Sequence, residues 1–511
     1  MSVRAASRPP APLVAVAGVA ALLAAIPLIY VVARTGAAGL DGIAAVWERP
    51  RVPMLVRNTT TLGASVAVAS LVSGIAVAVA LTRVRLPAPR VFAALTALPL
   101  AVPSYLAAFG WLATFPTIHG FWPAWLVLTA TTTPYVTLPV AASLRQHGAA
   151  HAELAYSLGH SRWRVFTAVT WPSIRSAAFA GTLLVFLYVI ADFGGVSLFR
   201  YPVLSTAIHQ AYGASFDRYY AAVLAAMLVL LALVVLWSER RVRSRHHFTV
   251  TRTAPGTPAS SPAKRLLAMG AISLGPVLAI GVPVFALVVR LLQAQSVRET
   301  DLGRLTESAV TTLTVSVAGA VVAVMLAIPV ATLAAKYRGR LATLIEGVSS
   351  LPLALPGIVV GLGLVYFSLR TVPAIYQNAV LLVVAYGIMF MPKAIGTIRA
   401  AMERVPAELE NVATTLGYRP LAVWWKVTAR LARPAAITAG LLVAVIAMKE
   451  LPATIMLRPT GTNTLAIDLW TRTEIAEYGA AVPYALALLV IAMVPAIALA
   501  PRTPRAAAPT P

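Results

Sequence analysis

HAELAYSLGHSRWRVFTAVTWPSIRSA, residues 151–177, is a polar, charged interlude in a chain that is otherwise 59% hydrophobic. A second interlude, PAELENVATTLGYRPLAVWWKVTARLARPA, occupies residues 406–435. Each reads as two short helices meeting at a glycine, Gly159 or Gly417, because helix-forming residues run up to the glycine and an amphipathic pattern resumes after it. Such a segment is a knob and not a span. Its apolar face, Val165, Phe166 and Val169 in one copy and Val423, Trp424 and Val427 in the other, is costly to leave in water. On the residues alone two readings stay open: the knob packs against its own bundle, or it docks into another protein.

Around the knobs the chain is a membrane protein. Only 11% of its 511 residues are charged and its mean hydropathy is +0.81, too little polar surface for a soluble domain to cover itself. A hydrocarbon layer about 30 Å thick asks for about 20 apolar residues per helix. That ruler predicts twelve spans, near 12–33, 58–82, 90–113, 122–144, 178–199 and 219–238, then 266–290, 308–333, 344–368, 379–399, 435–457 and 482–500. The first lies behind Arg4 and Arg8 like a signal peptide; its length and its place in the repeat mark it as a span.

The two halves correspond. PLIYVVAR ending at Arg34 matches PVFALVVR ending at Arg290, TTL at Thr60 matches TTL at Thr311, LPLAVP at Leu98 matches LPLALP at Leu351, and Gly159 matches Gly417, all at offsets of 251 to 258 residues. The expected organisation is a first six-helix unit over 1–239, a Pro/Ser/Thr-rich linker over 240–265 and a second unit over 266–511. An even number of spans puts both units the same way up, as parallel repeats. The fold class is therefore an all-α polytopic membrane protein of about twelve helices. Arginine and lysine crowd the loops after even-numbered spans, at Arg83, Arg85 and Arg90, from Arg240 to Arg265, and at Lys336, Arg338 and Arg340. The positive-inside rule makes those loops, both knobs and both termini cytoplasmic.

The interludes resemble the EAA loop of ABC importer permeases, in which Glu-Ala-Ala is followed after three residues by Gly and then by a closing proline. Glu153, Ala155, Gly159 and Pro172 fit the first copy, and Ala413, Gly417 and Pro434 the second. Leu154 replaces one alanine, Asn411 stands at the second glutamate position, Glu408 and Glu410 are out of register, and Pro434 comes four places late. Over essentially the whole chain, two fused units with one such loop each resemble the ferric iron transport permeases of bacteria. ADFGGVSLFRYPVLSTAI from Ala191 and MKELPATIMLRPTGTNTLAI from Met448 carry most of that likeness. The resemblance implies a type I importer fold in the bacterial inner membrane, a separate cytoplasmic ATPase, in two copies, gripping the two loops, and a periplasmic or lipid-anchored binding protein that delivers the ligand. Thiamine, polyamine and phosphonate permeases are built alike and stay open as alternatives.

Several classes fall away. A phosphate-binding loop ends in Lys followed by Ser or Thr, and none of the five lysines precedes either, so the chain is a transport subunit and not itself an enzyme. Cysteine is absent and the seven histidines are scattered, so no cofactor or metal motif is present. The net charge of +24 sits in short loops between apolar runs, which orients the chain in a bilayer and does not indicate nucleic acid.

A second constellation lies in the fifth span of each unit. Asp192 and Glu450 each stand eight residues before an arginine, Arg200 or Arg458, and two before a helix breaker, Gly194 or Pro452. An ionised side chain at that depth must be paired or face water. Two readings follow: each acid pairs within the bundle, as Glu450 with Lys449, or a broken helix places the acids and Lys449 on the translocation path. Pro99, Pro103, Pro352 and Pro356 also predict interrupted helices. An ion-coupled secondary transporter of six-plus-six helices is the rival class; it leaves the two knobs unexplained.

Overall fold

A computed structural model describes residues 9–147, 155–213, 218–243, 261–293, 301–337 and 339–498, and all regular structure among them is helical. In hydrocarbon a backbone must satisfy its own hydrogen bonds, and helices do so. The first half opens with α1 (Ala11–Trp47) and α2 (Arg51–Arg83). It continues with α3 (Pro89–Ala97), α4 (Ser104–Thr114), α5 (Phe121–Thr132) and α6 (Pro134–His147). It ends with α7 (Trp171–Ala191), α8 (Gly194–Leu198), α9 (Leu204–Gly213) and α10 (Arg218–Arg243). The second half begins with α11 (Pro262–Pro276), α12 (Val282–Gln293), α13 (Leu302–Lys336) and α14 (Arg340–Ser349). Then come α15 (Gly357–Thr371), α16 (Ala379–Glu403) and α17 (Ala407–Thr415). The last are α18 (Arg430–Met448), α19 (Pro452–Leu457), α20 (Leu465–Glu474) and α21 (Tyr478–Ala498).

Among the described residues eight helices are long and apolar enough to cross a membrane, nine when Pro89–Ala101 and Ser104–Thr114, bent by 91°, count as one. The other expected spans fall on interrupted or shorter helices. Pro134 divides α5 from α6, and Pro352 and Pro356 divide α14 from α15, since proline removes a backbone donor and disfavours helix in the residue before it. The apolar part of α21 runs only from Tyr478 to Met493. Most of the expected linker, residues 244–260, lies outside the described residues.

The halves repeat each other in three dimensions. LPLA forms a 3₁₀ turn in each, and the residue that ends it, Val102 or Leu355, has φ −95° and ψ 124° in both. Hydrogen bonding also corrects one register read from the sequence. The Thr59 hydroxyl oxygen accepts from the Leu204 N–H at 3.0 Å and that of Thr312 from the Leu465 N–H at 2.9 Å. Thr59 therefore corresponds to Thr312, 253 residues on, and the TTL words at an offset of 251 are two residues out of step.

The first helix of each half packs on the other half. Helix α1 lies against α13, α14 and α15, while α11 and α12 lie against α2, α3, α4 and α5. Two glycines permit the closest approaches. A Cβ on Gly363 would sit 2.6 Å from Pro27 Cα, and one on Gly110 would run into Pro283. Near these crossings Arg290 Nε donates to the Ala113 carbonyl at 2.8 Å, Trp111 Nε1 donates to that of Leu278 at 3.0 Å, and Arg34 lies 4.6 Å over the Tyr366 ring. Neither half completes its core alone.

Candidate functional site

The broken helices come first. Helix α7 stops because Asp192 turns the backbone to an extended conformation, φ −64° and ψ 131°. The residue is 8% exposed. Asp192 Oδ1 accepts from the Val196 N–H at 3.2 Å, capping α8, and Oδ2 accepts from the Ser104 hydroxyl at the start of α4. The Asp192 carbonyl accepts from the Ser205 hydroxyl at 2.6 Å. In the second half Glu450 Oε1 accepts from the Ala453 N–H at 3.2 Å, capping α19, and the Thr454 hydroxyl bonds the Glu450 carbonyl at 2.8 Å. Tyr386 closes this group through its hydroxyl, 2.6 Å from that of Thr454.

Ser104 and Gly357 occupy the same place, each following the proline that ends the repeated word. A Cβ on Gly357 would run into Glu450 Oε1. The same gap is thus filled by a short acid and a hydroxyl in one half, and by a longer acid facing bare backbone in the other. Both carboxylates are held by nearby N–H and hydroxyl groups, and neither has an ion-pair partner among the described residues. Glu450 does not pair with Lys449.

Lys449 reaches across the halves instead. Its Nζ donates to the carbonyls of Leu100, at 2.8 Å, and Ala101, at 3.2 Å, while the Tyr105 hydroxyl donates to the Lys449 carbonyl at 3.4 Å. Pro452 opens α19 from its first turn, where its missing N–H costs nothing. Lys393 on α16 was missed in the sequence. Its ammonium lies 5.4 Å from the Phe390 ring centroid and has no hydrogen-bond acceptor among the described residues. A lysine after proline in an otherwise apolar span was the available signal.

The knobs are built alike. Gly159 and Gly417 have φ of +80° and +82°. Each ends its helix with a paired closure: Gly159 N–H bonds the Tyr156 carbonyl and His160 N–H that of Ala155, as Gly417 N–H bonds Thr414 and Tyr418 N–H bonds Ala413. Ala155 and Ala413 are buried beneath the turn. Among the described residues, and apart from each glycine's own chain neighbours, no atom lies within 4 Å of a Cβ placed on either glycine, so the space there is open to a partner. A π-helical turn follows each knob, Phe166–Thr170 and Trp424–Ala429. Pro172 sits in the first turn of α7 and Pro434 inside α18; Glu153 lies outside the described residues.

The exposed apolar face differs from the one read in the sequence. Val165 and Val423 are buried against the bundle. Outward face Leu158 and Trp163 in the first knob and Leu416, Leu421 and Trp425 in the second, with Trp163 74% and Trp425 64% exposed. Glu408 is exposed, whereas Glu410 braces the second knob: Lys336 Nζ lies 2.8 Å from its Oε1 and the Thr428 hydroxyl donates to it at 2.6 Å. The matching contact in the first half runs from Arg83 to Thr170, 3.4 Å.

At the opposite end a cavity of about 600 Å³ opens between the halves, lined by Arg51, His119, Arg200, Tyr201, Gln210 and Glu474 among others. Arg51 donates to Gln210 at 3.0 Å. Its counterpart Arg304 instead holds Asp468 at 2.7 Å, and Asp468, 1% exposed, also accepts from the Ser308 hydroxyl at 2.5 Å and from Asn463 Nδ2 at 3.2 Å.

Two like halves of apolar helices, interlocked by their first helices and carrying paired knobs at one face, are the architecture of a membrane permease. The chain belongs to the family of binding-protein-dependent transport system inner membrane components, which matches it twice, over residues 70–246 and 323–501. It is the permease of an ABC importer with two units fused in one chain. It is similar to an Fe(3+)-transport system permease protein of Haemophilus influenzae, 31% identical over 93% of this chain and 95% of that one. A molybdenum transport system permease protein of Mycobacterium bovis is 31% identical over 39% of this chain and 81% of its own length. A sulfate transport system permease protein of Escherichia coli is 29% identical over 39% and 80%.

Proposed function

We propose that this permease passes ferric iron, handed over by a binding protein at the outer face, into the cytoplasm. The observation that carries the reading is the likeness to an Fe(3+) permease through both halves and almost end to end, where the molybdenum and sulfate relatives each match a single unit's worth of chain. The units are 1–239 and 266–511, joined by a cytoplasmic linker at 240–265, with six spans each in the inner membrane and both termini in the cytoplasm; the basic loops support that orientation. A separate ATPase, in two copies, grips the two knobs, and its closure rocks the halves about the crossings of α1 and α12. Asp192, Lys449, Glu450 and Pro452 then move with the broken helices that border the path. The exposed Leu158, Trp163, Leu416, Leu421 and Trp425 supply the docking surface, around Glu153, Ala155, Gly159 and Pro172 in one loop and Glu408, Ala413, Gly417 and Pro434 in the other.

The test separates turn geometry from approach. Asparagine tolerates a positive φ and arginine does not relieve it. Gly159→Asn and Gly417→Asn should keep the turn and cost ATPase binding less than tenfold. The Gly→Arg variants should lose co-purification with the ATPase and uptake of radioactive iron while the chain stays inserted, Gly417→Arg less severely. Normal uptake by the double arginine variant would remove the knobs from the mechanism.

A further inference from the structure

Among the described residues, the broken helices and the face of α16 that packs on them carry two acids and two lysines, Asp192, Glu450, Lys449 and Lys393, and these are not equally occupied. Asp192 and Glu450 are committed to capping α8 and α19. Lys449 spends two of its three donors on the carbonyls of Leu100 and Ala101. Lys393 has no acceptor among the described residues, although an ammonium inside a span is costly unless it is paired or faces water. Lys393 lies one helical turn beyond Met389, whose methyl group faces Gly357 beside Glu450 and Pro452, so it shares the face of α16 that packs on the broken helix. It is also within electrostatic reach of Lys449.

The repeat shows that the helix break itself does not require these lysines. Tyr135 follows Pro134 as Lys393 follows Pro392, and Ala191 precedes Asp192 as Lys449 precedes Glu450. The first half builds the same break with neutral residues at both places. At the outer cavity, Arg51 and Arg200 outnumber Glu474, and Arg51 meets neutral Gln210 where Arg304 in the other half meets Asp468.

We propose that the cargo crosses as an anion, with Lys393, seconded by Lys449, as the point that recognises its negative charge. This rests on the importer reading above and refines it: iron enters as an anionic ferric complex and not as a bare trivalent cation, which two ammonium groups repel.

The chain contains no cysteine, so Met389→Cys places a single thiol beside the lysines. In membranes holding the chain with its ATPase, the rates of labelling by a sulfonate and by a trimethylammonium methanethiosulfonate are each divided by the rate with a small free thiol. The anionic reagent should be favoured at least tenfold, and adding Lys393→Gln should erase most of that preference, while Lys393→Arg retains it. Equal or cationic preference, no response to Lys393→Gln, or no labelling by either reagent while ATP is turned over overturns the proposal. The readout does not depend on which cargo is carried. Failure of the unmodified chain to take up ferric citrate, with the reagent preference intact, would count against iron alone.

Discussion

The two halves build the same helix break with different residues. Asp192 and Ser104 meet through a hydroxyl hydrogen bond, while Glu450 reaches further and Gly357 clears its way. What is shared is the filled volume and the capped helix after the break. What is not shared is charge: Lys449 and Lys393 stand in one half only, and Arg304 has a carboxylate where Arg51 has an amide. Packing is therefore the symmetric property of this molecule, and electrostatics the asymmetric one.

If packing is symmetric, the two closest crossings must fail alike. Gly363→Val and Gly110→Val each drive a side chain into a proline of the other half's first helix. Because Pro27 is met at its backbone and cannot step aside, each change should cost about 3 kcal/mol or more, seen as loss of detergent-stable protein. A tolerated Gly110→Val beside a lethal Gly363→Val would break the equivalence. A smaller effect is expected at the helix breaks. Gly357→Ser should cost about 1–3 kcal/mol by crowding the Glu450 carboxylate, and Gly357→Ser with Glu450→Asp, which installs the first half's pair, should recover most of it in thermal unfolding. A double variant no better than the single would show that the two solutions are not interchangeable.

The smallest effects test the asymmetry at the end opposite the knobs. Asp468→Asn should destabilise by about 1–2 kcal/mol, since three donors converge on that buried carboxylate and Arg304 keeps part of its hydration. Gln210→Asp, which gives exposed Arg51 an acid, should change stability by no more than about 0.5 kcal/mol. Chemical unfolding of the two variants side by side measures the difference. Equal responses would mean that the second half's ion pair does no more than the first half's amide contact.

Much of this was legible in the sequence because hydropathy and repetition report on backbone placement. The repeat, the knobs with Gly159 and Gly417, and the breaks at Asp192 and Glu450 all follow from runs and breakers. The exposed face of the knobs was not legible, because which side of each knob rests on the bundle, burying Val165 and Val423 and leaving Trp425 outward, is set by tertiary docking and not by periodicity within the knob. Nor was the bond from Lys449 to Leu100, which joins residues 349 positions apart. Lys393 was overlooked because one charge in an apolar run barely changes the mean hydropathy.

The exchange of first helices also sets an order in time. Helix α1 leaves the ribosome well before Gly363, against which Pro27 packs and which emerges more than 300 residues later. At about 5–20 residues per second, that is a wait of some tens of seconds. During it α1 must persist in lipid without its second-half neighbours, so its own hydrophobicity and its contact with α10 have to hold it there. The exposed Leu22, Ile29 and Val32 along it serve the nascent chain as well as the finished one.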